Sequence, residues 1–148
     1  MNIQQAVKAS IGKFPFVIIS PADDNLTVEF DNTVTIKENA EFIINDLAIH
    51  CKLNSDRIVI NGGAKQVAKF VTGPFSGIFA RANSPEEFLE IWTFWSPKVT
   101  IGGSFIAAID YSEPNPFVEH LVTTQNFIAR KWSSLDFGDG YVSVKRSI

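Results

Sequence analysis

The 148 residues predict an α+β fold: a largely antiparallel, hairpin-rich β-sheet covered by about three helices, in a single domain spanning 1–148. Three observations predict it. Apolar and polar residues alternate in pairs of short segments divided by turn residues, the pattern of half-buried hairpins. Three other stretches repeat apolar residues at helical spacing. Tight turns between most strands leave little chain for crossover helices, which makes the sheet antiparallel.

Each element follows from local chemistry. Residues 2–11 carry Ile3, Ala6, Val7 and Ile11 on one helical face, with Gly12 placed to end the helix. Phe14 to Ser20 is a compact apolar, β-branched run and reads as a buried strand. Leu26, Val28 and Phe30 alternate with polar residues, Asp31-Asn32 turns the chain, and Val34 and Ile36 alternate again: a first hairpin. Phe42-Ile43-Ile44 is a short strand. Leu47, Ile49, Cys51 and Leu53 pair across Asn54-Ser55-Asp56 with Arg57 to Asn61 as a second hairpin. Ala64 to Val71 fits helix and strand alike; the β-rich surroundings favour strand. Gly77 to Ala82 is a further strand.

Ser84-Pro85-Glu86-Glu87 is a helix start, with a capping serine, proline at the first position and glutamate at the third. The helix runs to about Trp95 and stops before Ser96-Pro97. Val99 to Ile101 and Phe105 to Tyr111 read as two strands separated by Gly102-Gly103. Asn115-Pro116 opens a long helix with Phe117, Leu121, Thr124, Ile128 and Trp132 along one stripe. Leu135 to Phe137 and Tyr141 to Lys145 form a third hairpin around Gly138-Asp139-Gly140.

Composition excludes several classes. Hydrophobic residues at 45% and charged residues at 20% rule out a disordered chain. A net charge of −3 argues against nucleic-acid and anionic-membrane partners. A lone Cys51 forms no intrachain disulfide, and the early apolar run is too short to cross a bilayer, so the expected setting is cytoplasmic and soluble. Thirteen Phe in 148 residues point to a Phe-rich core.

Catalytic chemistry is thinly represented. His50 and Cys51 are strand neighbours and point to opposite faces, so they form no nucleophile pair. His120 follows Glu119 near a helix start and could serve as a base if Asp110 or Glu113 oriented it. One Cys and two distant His supply no zinc site. Asp136-Phe137-Gly138-Asp139-Gly140 is hairpin turn chemistry and lacks the remaining ligands of a calcium loop. Asn61-Gly62-Gly63-Ala64-Lys65 lacks the spacing of a phosphate loop, and neither a dinucleotide glycine pattern nor a Gly-x-Ser-x-Gly elbow occurs.

Charge is uneven along the chain. Glu86, Glu87, Glu90, Asp110, Glu113 and Glu119 face only Lys98 between Asn83 and His120, while Arg130, Lys131, Lys145 and Arg146 enrich the tail. Phe94 lies off the main apolar stripe of its helix. These features favour a small acidic cytosolic protein-binding module, of inhibitor or immunity type, that occupies a basic protein partner and is not an enzyme. Its contact residues would be Glu86, Glu87, Glu90, Phe94, Asp110 and Glu113, with no cofactor and no metal. The alternative is a small-ligand-binding domain or enzyme built on a Phe-rich pocket, with His120, Asp110 and Tyr111 to test. A further alternative is an assembly subunit that pairs edge strands into a homo-oligomer.

Overall fold

In the computed structural model, residues 2–21, 33–38, 57–61, 64–69, 71, 73–109, 115–121 and 131–148 are described. The first element is helix α1 (Ile3–Ser10). Asn2 and Gln5 cap it reciprocally: each side-chain oxygen accepts the other's backbone N–H at 2.9 Å. Ala6 and Val7 form its buried face.

Seven strands form one sheet: β1 (Phe16–Pro21), β2 (Thr33–Glu38), β3 (Arg57–Asn61), β4 (Phe75–Ala80), β5 (Val99–Ala107), β6 (Trp132–Gly138) and β7 (Tyr141–Arg146). Their spatial order is β3-β2-β1-β4-β5-β7-β6. β1 pairs in parallel with both β2 and β4, β3 extends the parallel ladder beyond β2, and β5 extends it beyond β4. Only β7 and β6 run antiparallel. This mixed, mostly parallel sheet replaces the expected antiparallel, hairpin-rich α+β architecture. It has the doubly wound order, in which the chain starts at a central strand, builds outward one way, then returns to build the other way.

The first two predicted hairpins are corrected accordingly. Thr33–Glu38 pairs in parallel with Phe16–Pro21, and Arg57–Asn61 in parallel with Thr33–Glu38. Their supposed partners, 26–30 and 47–53, lie outside the described residues, as does 42–44. Alternation identifies a strand but carries no information on the direction of its neighbour. The third hairpin is present, closed by Gly138 opposite Tyr141, with Gly140 at φ +78° where a side chain would be strained.

Ala64–Val67 is a short helix, α2, and not a strand. Ala64, Val67 and Ala68 are buried while Lys65 and Gln66 are exposed, the spacing of a helix face. Val99–Ala107 is one continuous strand rather than two. Gly102 bends it at φ +87°, and Gly103 lets it approach β4: a Cβ there would lie 2.6 Å from the Ser76 carbonyl oxygen.

Helix α3 (Pro85–Trp95) starts as predicted. Ser84 Oγ accepts the Glu87 N–H at 3.3 Å, while Glu87 Oε2 accepts the N–H of Asn83 at 3.0 Å. Residues 116–121 are also helical, started by Asn115 Oδ1, which accepts from the N–H of Phe117 at 2.9 Å. Trp132 belongs to β6 and not to the predicted helical stripe.

Helices pack on both faces of the sheet. Val17, Ile19, Ile78, Ala80 and Phe105 face α2, α3 and 116–121. Phe16, Ile18, Phe79 and Ile106 face α1. A central strand covered on both faces must be apolar throughout, which is why Phe16 to Ile19 shows no alternation.

Candidate functional site at the carboxyl edge of the sheet

The sheet order reverses between β1 and β4, and crevices open where doubly wound chains diverge after such strands. The two strands stay hydrogen-bonded to their ends, with the Arg81 N–H donating to the Ile19 carbonyl at 2.8 Å. Pro21 then closes β1; it has no N–H with which to continue the ladder. The register aligns the neighbouring ends: Pro21 lies opposite Glu38, Lys37 opposite Asn61, and Ile19 opposite Ala80. A glutamate and an asparagine therefore terminate β2 and β3 beside the end of β1.

Ser20 is the anomalous residue of this edge. It is 1% exposed, and its Oγ has no hydrogen-bond partner among the described residues. By the two-residue repeat it shares the face of Phe16 and Ile18. A buried hydroxyl without a partner costs roughly 1–3 kcal/mol, a penalty a fold seldom keeps without use. On the other side of the switch the strand ends are small. Ala80 and Ala107 are fully buried and lie opposite each other, and half-buried Ala108 follows, so little side-chain bulk stands over the ends of β4 and β5. Glu38 and Asn61 thus bring an acid and an amide to the ends of β2 and β3, residue types that hydrogen-bond polar ligand groups.

The residues singled out from sequence are scattered. Glu86 and Glu87 sit in the first turn of α3, just after β4, and Glu90 lies one turn on; Glu86 and Glu90 are exposed. Glu87 is engaged in capping. Phe94 packs partly buried against the core, with Lys65 Nζ 5.4 Å from its ring centre. His120 lies half-buried on 116–121 and has an interaction there. Asp110, Tyr111 and Glu113 lie outside the described residues. Among the described residues no group of three or more His, Cys, Asp or Glu could hold a metal ion, and no helix is long and apolar enough to cross a membrane.

Ser20, Glu38 and Asn61 were missed. Their signal was a polar residue ending an unbroken apolar run, as in Phe16-Val17-Ile18-Ile19-Ser20 and Ile58-Val59-Ile60-Asn61. Asn61 opens the very segment set aside above as a poor phosphate loop.

No family model matches the sequence, and no curated protein matches it. Solved structures do. A protein from Clostridium thermocellum assigned as an rRNA methylase aligns at TM-score 0.62 and 14% identity, over 98% of this chain and 93% of its own. An rRNA methylase from Streptococcus thermophilus aligns at 0.59 and 13%, over 98% and 94%. SMU.1697c from Streptococcus mutans, assigned as a methyltransferase and solved with SAH bound, aligns at 0.56 and 14%, over 97% and 94%. At these identities the likeness establishes the fold. Together with the strand order it overturns the inhibitor or immunity-type reading and favours the ligand-binding or enzyme alternative.

Proposed function

We propose that this chain binds S-adenosylmethionine and its product S-adenosylhomocysteine (SAH) at the carboxyl edge of β1–β4, as an enzyme of methyltransferase type. The observation that carries the reading is the buried Ser20 hydroxyl, without a partner among the described residues, on the strand where the sheet order reverses. The neighbours' shared fold, one of them holding SAH, supports the choice of ligand.

The residues present fit an adenosyl amino acid better than a dinucleotide. In doubly wound folds an acidic residue about 20 positions past the first turn bonds ribose hydroxyls. Glu38, at the end of β2 beside Pro21, stands at that position. Dinucleotide sites also need glycines after the first strand, so that backbone N–H groups can reach a pyrophosphate. Residues 22–32 contain no glycine and begin Ala22-Asp23-Asp24. Two acids would repel a pyrophosphate but attract an ammonium or sulfonium group. When bound, S-adenosylmethionine supplies an electrophilic methyl group on its sulfonium. The chain's contribution would be to hold the ribose at Glu38 and to complete the Ser20 hydrogen bond.

A thermal-shift titration tests this. SAH at a hundred times its Kd should stabilise the fold by about 2.7 kcal/mol, or roughly 5–10 °C in Tm for a chain of this size. Glu38→Gln should weaken SAH binding about tenfold, by ~1.4 kcal/mol, without lowering the unliganded Tm. NAD should give no shift. Absence of any SAH shift at millimolar concentration, or an equal shift with NAD, would reject the proposal.

A further inference from the structure

We infer that a second site, at the opposite end of the sheet, binds an oxyanion carried on a small apolar body. A cleft of about 470 Å³ opens there between the Gly73-Pro74 turn, the segment from Pro97 to Ile101, and Arg146. Its size falls within the range of small-ligand pockets, about 300–1,000 Å³. It lies at the amino ends of β4 and β5, so nothing in the reading of the carboxyl edge accounts for it.

Among the described residues two cationic residues line this cleft and no Asp or Glu does. Arg146 Nε donates to the main-chain oxygen of Ile148, the last residue given, at 3.1 Å, and Nη1 donates to the carbonyls of Pro97, at 3.3 Å, and Val99. Nη2 has no partner among the described residues. Lys98 Nζ donates to the Val71 carbonyl at 2.8 Å and sits 5.7 Å from the centre of the Trp95 ring. Main-chain oxygens fix where both groups sit, and the Val71 carbonyl leaves the Lys98 charge unneutralised. The result is a preorganised pair of cations with donors to spare, the arrangement that recognises carboxylate or phosphate. Burial pulls the Lys98 pKa below its ordinary value, the expected effect of a partly desolvated cation without a counter-charge.

Apolar surface flanks the cations. Pro74 and Pro97 line the cleft, and Ile101 lines it while remaining 65% exposed. Gly73 sets the close approach of the two walls: a Cβ there would lie 2.8 Å from the Lys98 carbonyl oxygen. An anionic head would meet Lys98 and Arg146 while an apolar body covers Ile101 and the prolines.

Phenyl phosphate and benzoate are suitable probes, with benzyl alcohol as the neutral control. Titration of the full chain, followed through backbone amide NMR shifts, should give saturable changes at 98–101 and 146 for at least one of the two anions and none for benzyl alcohol. A preference between the anions identifies the head group. Lys98→Gln should weaken binding at least tenfold. Because Lys98 also supports local structure, Ile101→Glu provides a second variant at an exposed position; its carboxylate should repel the anion and weaken binding tenfold, with SAH affinity unchanged. Failure of both anions to saturate at millimolar concentration would overturn the inference, as would equal binding of benzyl alcohol or indifference to Ile101→Glu. SAH binding, or its absence, has no bearing on this result.

Discussion

The two faces of the sheet carry cores of very different size. Over α3 the core is aromatic: Trp92 lies 5.0 Å from Phe105 and 4.9 Å from Trp132, and Phe88 stacks on Phe117 at 5.4 Å. The buried Trp95 Nε1–H donates to the Ala64 carbonyl at 3.0 Å. Under α1 the cluster is much smaller: Ala6, Val7, Ile18 and Ile106 beside Phe16, Phe79 and Tyr141. On that side β1 ends in a buried hydroxyl with no partner among the described residues. The larger core on the α3 side should hold the strands more strongly than the smaller one under α1. Val17 and Ile19 face the larger core, while Ile18 and Ser20 face the other way.

Substitutions can break that comparison. Trp95→Ala should have the largest effect, costing about 3–5 kcal/mol, because it empties a fully buried site and removes the indole N–H bond to the Ala64 carbonyl, which keeps only the Ala68 N–H. Val7→Ala, on the α1 face, should cost only about 2 kcal/mol. Urea unfolding of both variants checks the difference, and equal losses would show that the faces contribute alike.

Ser20→Ala should behave oppositely. Removing an unsatisfied hydroxyl should leave stability unchanged or raise it by up to about 1 kcal/mol, while SAH binding weakens. A loss of more than about 1 kcal/mol would mean that the hydroxyl already has a partner in the unliganded fold.

The smallest effect concerns pH. The folded pKa of Lys98 is below 10.5 because burial disfavours its charge. Between the folded value and 10.5 the unfolded chain binds more protons, so stability gains from this group as pH rises through that window. Below the window the penalty is present in full. Relative to Lys98→Met, the wild type should gain stability between pH 7 and pH 10 in urea melts at the two values. An equal or opposite change would remove burial as the cause.

Much of the local structure was legible in the sequence, and the topology was not. Ser84 and Asn115 announced helix starts because capping is a contact within a few residues. Gly138-Asp139-Gly140 announced its hairpin because both strands meet at that turn. The parallel ladder has no such local sign. Thr33–Glu38 lies between β1 and β3, and nothing in its own residues names either neighbour. Asp31-Asn32 looks the same whether it closes a hairpin or precedes a parallel strand. The site was hidden for the same reason: Ser20, Glu38 and Asn61 become neighbours only once the strand order is known. The unbroken apolar run from Phe16 to Ile19 was the one available hint, since a strand buried on both faces suits a parallel sheet better than an open hairpin.

Hydrogen–deuterium exchange with and without SAH tests the central claim most directly, because it locates binding residue by residue. The account predicts slowed exchange in peptides covering the ends of β1, β2, β3 and β4, at 17–21, 36–38, 59–61 and 79–82, with 97–101 unchanged. Protection confined to 97–101 or to the β6–β7 hairpin, or no protection anywhere at saturating SAH, would contradict it.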